Sequence, residues 1–144
     1  MNTKISYAAK ARIIAATCVL ILILVCETSQ AQSKPWPAPK EYSELKNPLT
    51  GDVTALKDGK SLYTSYCTPC HGDKGKGDGA AAAALNPKPA DHTSATMLNE
   101  TDGSIFFKIS EGRTPMPQYK AILTDKQRWE LVTYIRTLSK SAKK

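Results

Sequence analysis

The sequence predicts one small all-α domain, and three observations carry that reading. Three segments place apolar residues at helical spacing, and no segment alternates with the period of two that a half-buried strand requires. Residues 32–144, which follow a leader-like N-terminus, suffice for one modest core and not for two.

The elements follow in chain order. Lys4, Lys10 and Arg12 precede a thirteen-residue apolar run from Ile13 to Val25, and small residues stand at Ser29 and Ala31. This is the pattern of a secretory signal over residues 1–31, cleaved after Ala31. The run is shorter than the roughly 20 residues that span a bilayer. The alternatives are a retained membrane anchor and a lipid-modified Cys26, the second disfavoured by Val25 where that processing wants a small residue. The expected location is therefore periplasmic or otherwise exported, with membrane contact only if the N-terminal segment is retained. Cleavage removes Cys18 and Cys26 and leaves Cys67 and Cys70, too few for a disulfide framework. The full chain carries a formal net charge of +7, with its lysines scattered. No basic stripe carries stacking aromatics, so nucleic acid is not an expected partner.

Over residues 32–52, Pro35, Pro37, Pro39 and Pro48 block a continuous helix and favour an extended polyproline-like strap or linker. Trp36 either packs this strap on the domain or marks a linker. The domain proper is expected over residues 53–144. Its first helix places Leu56, Gly59, Tyr63 and Tyr66 on one face. A glycine in such a stripe costs helix stability and implies that another backbone approaches there. The alanine run Ala80 to Ala84 predicts a short helical turn with Asp78 as its cap. A second helix has Thr101 as N-cap, Ile105, Phe106 and Ile109 on one face, and Gly112 as its stop. A third opens with a capping box from Thr124 to Gln127 and buries Leu131, Ile135 and Leu138, flanked by Trp129, Val132 and Tyr134.

Between the first helix and the alanine run stands "YCTPCHGDKGKGDG". A thiol redox pair belongs after a strand in a βαβ pattern, and none is evident here. Structural zinc takes four ligands, and outside the leader Cys67, Cys70, His71 and His92 just meet that count, but nothing repeats the first cysteine pair, so zinc stays a minor alternative. The remaining reading is Cys-x-x-Cys-His, the attachment signal for one c-type haem. Two thiols about one helical turn apart each add to one vinyl group of the same porphyrin, and the adjacent imidazole of His71 then lies under the iron. The usual sixth ligand of such an iron is a methionine, which here means Met97 or Met116. Met97, in "SATMLNE", reads as a filler of core gaps. Met116, in "GRTPMPQY", lies between two prolines that stiffen the loop and is the expected distal ligand.

In this order, "GKSLYTSYCTPCHGDKGKGDG", "NPKPAD", "DGSIFFKISEGRTPMPQY" and "LTDKQRWELVTYIRTL" resemble the class I, or mitochondrial-type, cytochromes c of bacterial export, from about Thr54 to Ser139. The resemblance implies a three-helix shell enclosing a covalently bound haem c. Cys67 and Cys70 would be its thioether anchors, and His71 and Met116 its proximal and distal iron ligands. It also implies that Gly59 and Tyr63 cross Leu131 and Tyr134. A carbonyl of the loop holding Pro87 and Pro89 is then expected to accept the His71 Nδ1 proton.

Iron held on both faces changes oxidation state without changing ligands, so the expected function is one-electron transfer rather than enzymatic catalysis. Lys74, Lys76, Lys88 and Lys120 flank the haem-binding segments and suit redox partners with acidic docking surfaces. Two other functions compete: a haem protein with an exchangeable sixth ligand that binds or reduces a small molecule, and a cytochrome fixed in a larger oxidoreductase complex.

Overall fold

The computed structural model describes residues 35–141, so the leader expected at 1–31 lies outside the described residues. The described chain forms six helices, α1 (Lys40–Ser43), α2 (Val53–Tyr66), α3 (Thr68–His71), α4 (Ala95–Asn99), α5 (Asp102–Glu111) and α6 (Asp125–Ser141), with a 3-10 turn at Ala82–Ala84. No strand occurs among the described residues. The fold is the all-α arrangement expected, with α2, α5 and α6 as its three long members.

Each long helix starts where its side chains satisfy the backbone donors that a first turn leaves without partners. Asp52 accepts from the Thr54 and Ala55 amides at 2.8 and 3.0 Å. Thr101 accepts from the Ser104 amide at 3.1 Å. At α6 the expected capping box forms in both directions: the Gln127 amide donates to Thr124 Oγ1 at 3.3 Å and the Thr124 amide to Gln127 Oε1 at 2.9 Å. The α5 helix ends at Gly112, as its sequence predicts.

The helices α2 and α6 make the main packing interface, where the side chain missing at Gly59 matters. A Cβ there would overlap the Glu130 carbonyl oxygen and lie 3.2 Å from Tyr134 Cβ. The close approach expected at Gly59 is present, with the Glu130 backbone and Tyr134 as its partners. One turn on, the Tyr63 and Tyr134 rings meet at 5.1 Å. The buried stripe of α2 differs from the expected one: it is Ala55, Gly59 and Tyr63, while Leu56 is half-buried and Tyr66 exposed. The buried residues form an i, i+4, i+8 row centred on Gly59, where the α6 backbone comes closest.

On α6, Leu131, Val132 and Ile135 are buried and Leu138 is half-buried, in the order expected. The helix α5 packs beside it through Ile105, Phe106 and Ile109, and the Phe106 ring stacks on Trp129 at 4.1 Å. Arg136 joins three elements: its Nε donates to Asp102 Oδ1 at 2.6 Å, Nη1 to the Met97 carbonyl at 2.9 Å, and Nη2 to the Glu100 carbonyl.

Two local expectations change. Residues 40–43 of the strap form a helical turn rather than an extended run, because Pro39 offers its carbonyl to the Tyr42 and Ser43 amides, both at 3.0 Å. The alanine turn is 3-10 and carries no side-chain cap, so Asp78 does not play that role.

Replacing Gly59 with alanine forces two backbones apart. The expected cost is about 1–3 kcal/mol from overpacking, against a helix-propensity gain of at most about 1 kcal/mol. Thermal unfolding should show a lower midpoint for Gly59→Ala, and a raised midpoint would contradict the close crossing.

Candidate haem site

The thiol–imidazole motif sits where α2 hands over to α3. Cys67 follows α2, and the next turn carries Cys70 and His71 on helical backbone. Both cysteines are unbridged and half-buried, which suits two thioether bonds to one group. Burial, with the neighbouring Cys70, pushes the Cys67 thiol up to about 12, so it is held as a neutral thiol. Among the described residues no group of three or more His, Cys, Asp or Glu is placed to hold a metal ion. Cys67, Cys70, His71 and His92 therefore do not form the four-ligand zinc site that their count permits.

The glycines after the motif turn the chain back over it. Gly72 ends α3 at a φ of +76°, a conformation that costs glycine nothing and an L side chain a good deal. The returning loop then satisfies the open carbonyls of the turn: Gly77 N–H donates to His71 at 2.9 Å, Gly79 to Cys70 at 3.1 Å and Ala81 to Pro69 at 2.9 Å. Further along, the His92 amide donates to the Gly75 carbonyl at 2.6 Å and brings residues 90–92 against His71.

That return fixes the imidazole. His71 Nδ1 donates to the Ala90 carbonyl at 2.9 Å. A carbonyl only accepts, so Nδ1 carries the proton and Nε2 keeps its lone pair. Burial lowers the His71 pKa, although the Ala90 contact acts the other way, so the ring is held neutral. The expected acceptor from the Pro87 and Pro89 loop is thus the residue after Pro89. The donor set fits a covalently attached haem: two unbridged thiols on one turn, and a neutral imidazole with a protonated Nδ1 and a bare Nε2.

A residue read in the sequence only as a spare zinc ligand belongs to this environment. The His92 ring stacks on His71 at 4.1 Å with an interplanar angle of 19°. Its Nδ1 shares a hydrogen bond with the Tyr63 hydroxyl at 3.1 Å, and its carbonyl accepts from Ser139 Oγ at 2.7 Å. Burial, and secondarily His71, push the His92 pKa down to about 3, so this ring is also neutral. His92 thus walls the side of the His71 ring, and Tyr63 and Ser139 tie His92 to α2 and α6. No sequence spacing signals a stacking partner 21 positions away; only the loop's return creates the contact.

Met116 and Met97 both lie half-buried against the core. Met97 is inside α4, and its amide donates to Ser94 Oγ at 3.2 Å. Met116 lies in the loop after α5, paired with Arg113 by two backbone bonds: Arg113 N–H to Met116 at 3.0 Å and Met116 N–H to Arg113 at 2.8 Å. Tyr119, at the end of this loop, donates its hydroxyl to the Tyr66 carbonyl at 2.9 Å. The Met116 loop is thereby tied to the backbone immediately before Cys67.

Comparison with known proteins gives the family. Residues 54–135 match the family described as "Cytochrome C oxidase, cbb3-type, subunit III". The chain belongs to this cytochrome c family. Membership implies a covalently bound haem c, with Cys67 and Cys70 in the spacing that attachment uses. No curated protein matches. Among solved structures, a chain of the Kuenenia stuttgartiensis reducing HAO-like protein complex is similar, with a TM-score of 0.57 and 27% identity over 74% of this chain. The cytochrome spans about half of that chain, 52% of its length.

If the haem is held by thioethers, acid acetone should leave it on the wild-type protein and extract it from the Cys67→Ser, Cys70→Ser double variant. Haem that leaves the wild-type chain in acid acetone would contradict covalent attachment.

Proposed function

We propose that this c-type cytochrome is an exported mono-haem one-electron carrier, with His71 and Met116 as its axial ligands and Cys67 and Cys70 as its anchors. The observation that carries the reading is the bond from His71 Nδ1 to Ala90, which aims a neutral Nε2 donor from the turn that bears both thiols. The haem supplies an iron that exchanges one electron. The chain supplies the rest. Ala90 and His92 hold the imidazole orientation, which limits rearrangement when the charge changes. The buried Phe106, Trp129 and Leu131 help form a core that excludes water. A thioether from Met116 favours the ferrous state and raises the potential.

Lys74, Lys76 and Lys88 are exposed beside the haem-binding segments and suit an acidic redox partner. Lys120 contributes less, since it pairs with Glu111 at 2.8 Å. A second reading, a cytochrome fixed in a larger oxidoreductase, draws support from the family's description as an oxidase subunit and from the structural neighbour's place in a protein complex. Purification of the haem protein from its native extract separates the two readings: isolation alone supports a shuttle, and a stoichiometric companion oxidoreductase supports the subunit.

Variants of the two methionines and the mature N-terminus test the proposal. Oxidised wild-type protein should show the weak long-wavelength sulfur-to-iron band, which Met116→Ala removes and Met97→Ala keeps. The Met116 variant should also have a lower reduction potential and bind carbon monoxide in the ferrous state. The Met97 variant should lose only packing, about 1–2 kcal/mol for a half-buried side chain. A band that survives Met116→Ala, or a wild-type protein that binds carbon monoxide readily, would move the function to a ligand-binding haem protein. Export with cleavage after Ala31 predicts a mature chain beginning at Gln32, readable by N-terminal sequencing. A chain that keeps residues 1–31 and sediments with membranes would instead show a retained anchor.

A further inference from the structure

The proline-rich strap does more than precede the domain. Arg113 lies over the Trp36 ring, its guanidinium carbon 4.7 Å from the centroid, and its Nη1 donates to the Pro35 carbonyl at 3.5 Å. Trp36 also meets the edge of Phe107 at 6.4 Å, and Tyr42 reaches the same ring at 5.0 Å. Behind them the strap lies tight on α5: a Cβ at Gly103 would overlap the Tyr42 carbonyl oxygen and stand 3.0 Å from Leu45 Cβ. Phe107 and Gly103 lie four residues apart and so share one side of α5, and Ile105, Phe106 and Ile109 of the same helix are buried in the core.

Arg113 is also the residue whose backbone brackets Met116, through the two bonds at 3.0 and 2.8 Å. One residue thus carries two connections: its main chain holds the methionine, and its side chain is held by a segment 77 positions earlier. We propose that residues 35–43 are a latch for the Met116 loop, in which Trp36 and the Pro35 carbonyl fix Arg113 and thereby hold Met116 in place. Trp36 and Arg113 are positioning residues for the distal ligand. The latch rests on the assignment of Met116 as that ligand. It is a different function from a tether to a membrane or a partner, because the strap's aromatic residues face the domain itself.

The physical link is an opening equilibrium. If the Met116 loop opens and closes, carbon monoxide binds only the open fraction, so its apparent affinity reports that fraction directly. Loosening Arg113 raises the open fraction without touching the haem-binding turn. The expected effect of Trp36→Ala is about a tenfold gain in apparent carbon monoxide affinity of the ferrous protein, or about 1.4 kcal/mol.

The experiment uses the haem-loaded protein carrying Trp36→Ala, Trp36→Phe, Arg113→Gln, the Trp36→Ala, Arg113→Gln pair, and Asn47→Ala. Asn47 is buried at the far end of the strap, where its Nδ2 donates to Thr133 Oγ1 at 2.9 Å. It therefore controls for general destabilisation. In Trp36→Ala and Arg113→Gln the sulfur-to-iron band should disappear on heating well before the far-UV helix signal, and carbon monoxide should bind about tenfold more tightly. The paired variant should add little to either single one, since both break the same contact. Trp36→Phe should recover part of the wild-type behaviour, because an aromatic face remains for the guanidinium. Asn47→Ala should lower the unfolding midpoint while the band and helix signal still fall together. A band and carbon monoxide affinity unchanged in Trp36→Ala would overturn the latch alone. So would a band that merely follows the helix signal, which would make the strap ordinary packing. A wild-type protein with no sulfur-to-iron band would overturn the Met116 assignment and the latch with it.

Discussion

The hydrogen bond between His71 and the Ala90 carbonyl is the constraint on which the site depends. An imidazole binds iron well only when one nitrogen is bare and the ring cannot rotate, and both conditions follow from placing one acceptor at Nδ1. That acceptor stands on a loop that must leave α3, reverse and return. Gly72 allows the departure, the Gly77, Gly79 and Ala81 amides bind the turn's open carbonyls, and the His92 amide closes the return on Gly75. His92 then stacks on the ring whose proton Ala90 holds. The loop is thus organised around one donor–acceptor pair, which explains why so irregular a stretch leaves few backbone groups of the turn unpaired.

The three long helices give that loop something rigid to close against. Where α2 and α6 cross, Gly59 brings the backbones together, and this contact sets the distance between Tyr63 on one helix and Ser139 on the other. Both residues bond His92, one at its ring and one at its carbonyl. The helix crossing therefore holds His92, the stacking partner of the His71 ring, through two hydrogen bonds. Tyr119 ties the Met116 loop to the Tyr66 carbonyl, one residue before Cys67. The segments that carry the two candidate axial ligands are anchored to neighbouring points on the same helix end, so neither side can shift far without the other. An electron carrier gains from this coupling, because little must move when the iron changes charge.

Much of this was legible in the sequence, and the legible parts share a cause. Helix starts at Thr101 and Thr124, the stop at Gly112 and the buried face of α6 arise from interactions within four residues, which spacing and residue type encode. The thiol–imidazole motif is local in the same sense, since its chemistry needs only one helical turn. The glycine in the α2 stripe announced a close approach even though its partner lay far off. Where the reading of α2 slipped, from Ala55 to Leu56 and Tyr66, the direction of the α6 crossing decided which of two adjacent rows was covered.

By itself, then, the sequence determined an all-α domain, the order of its long helices with the starts at Thr101 and Thr124 and the stop at Gly112, and a haem-attachment turn with a histidine beside it. Only the tertiary structure decided that Ala90 supplies the acceptor, 19 positions from His71. It likewise decided that His92 is a wall of the site rather than a metal ligand, and that the strap rests on Arg113, whose contact with Pro35 spans 78 positions. Such contacts leave no periodic trace, because a carbonyl accepts equally well from any residue and a ring stacks wherever the chain delivers it. They exist only once the α2–α6 crossing has fixed where the connecting loops can run.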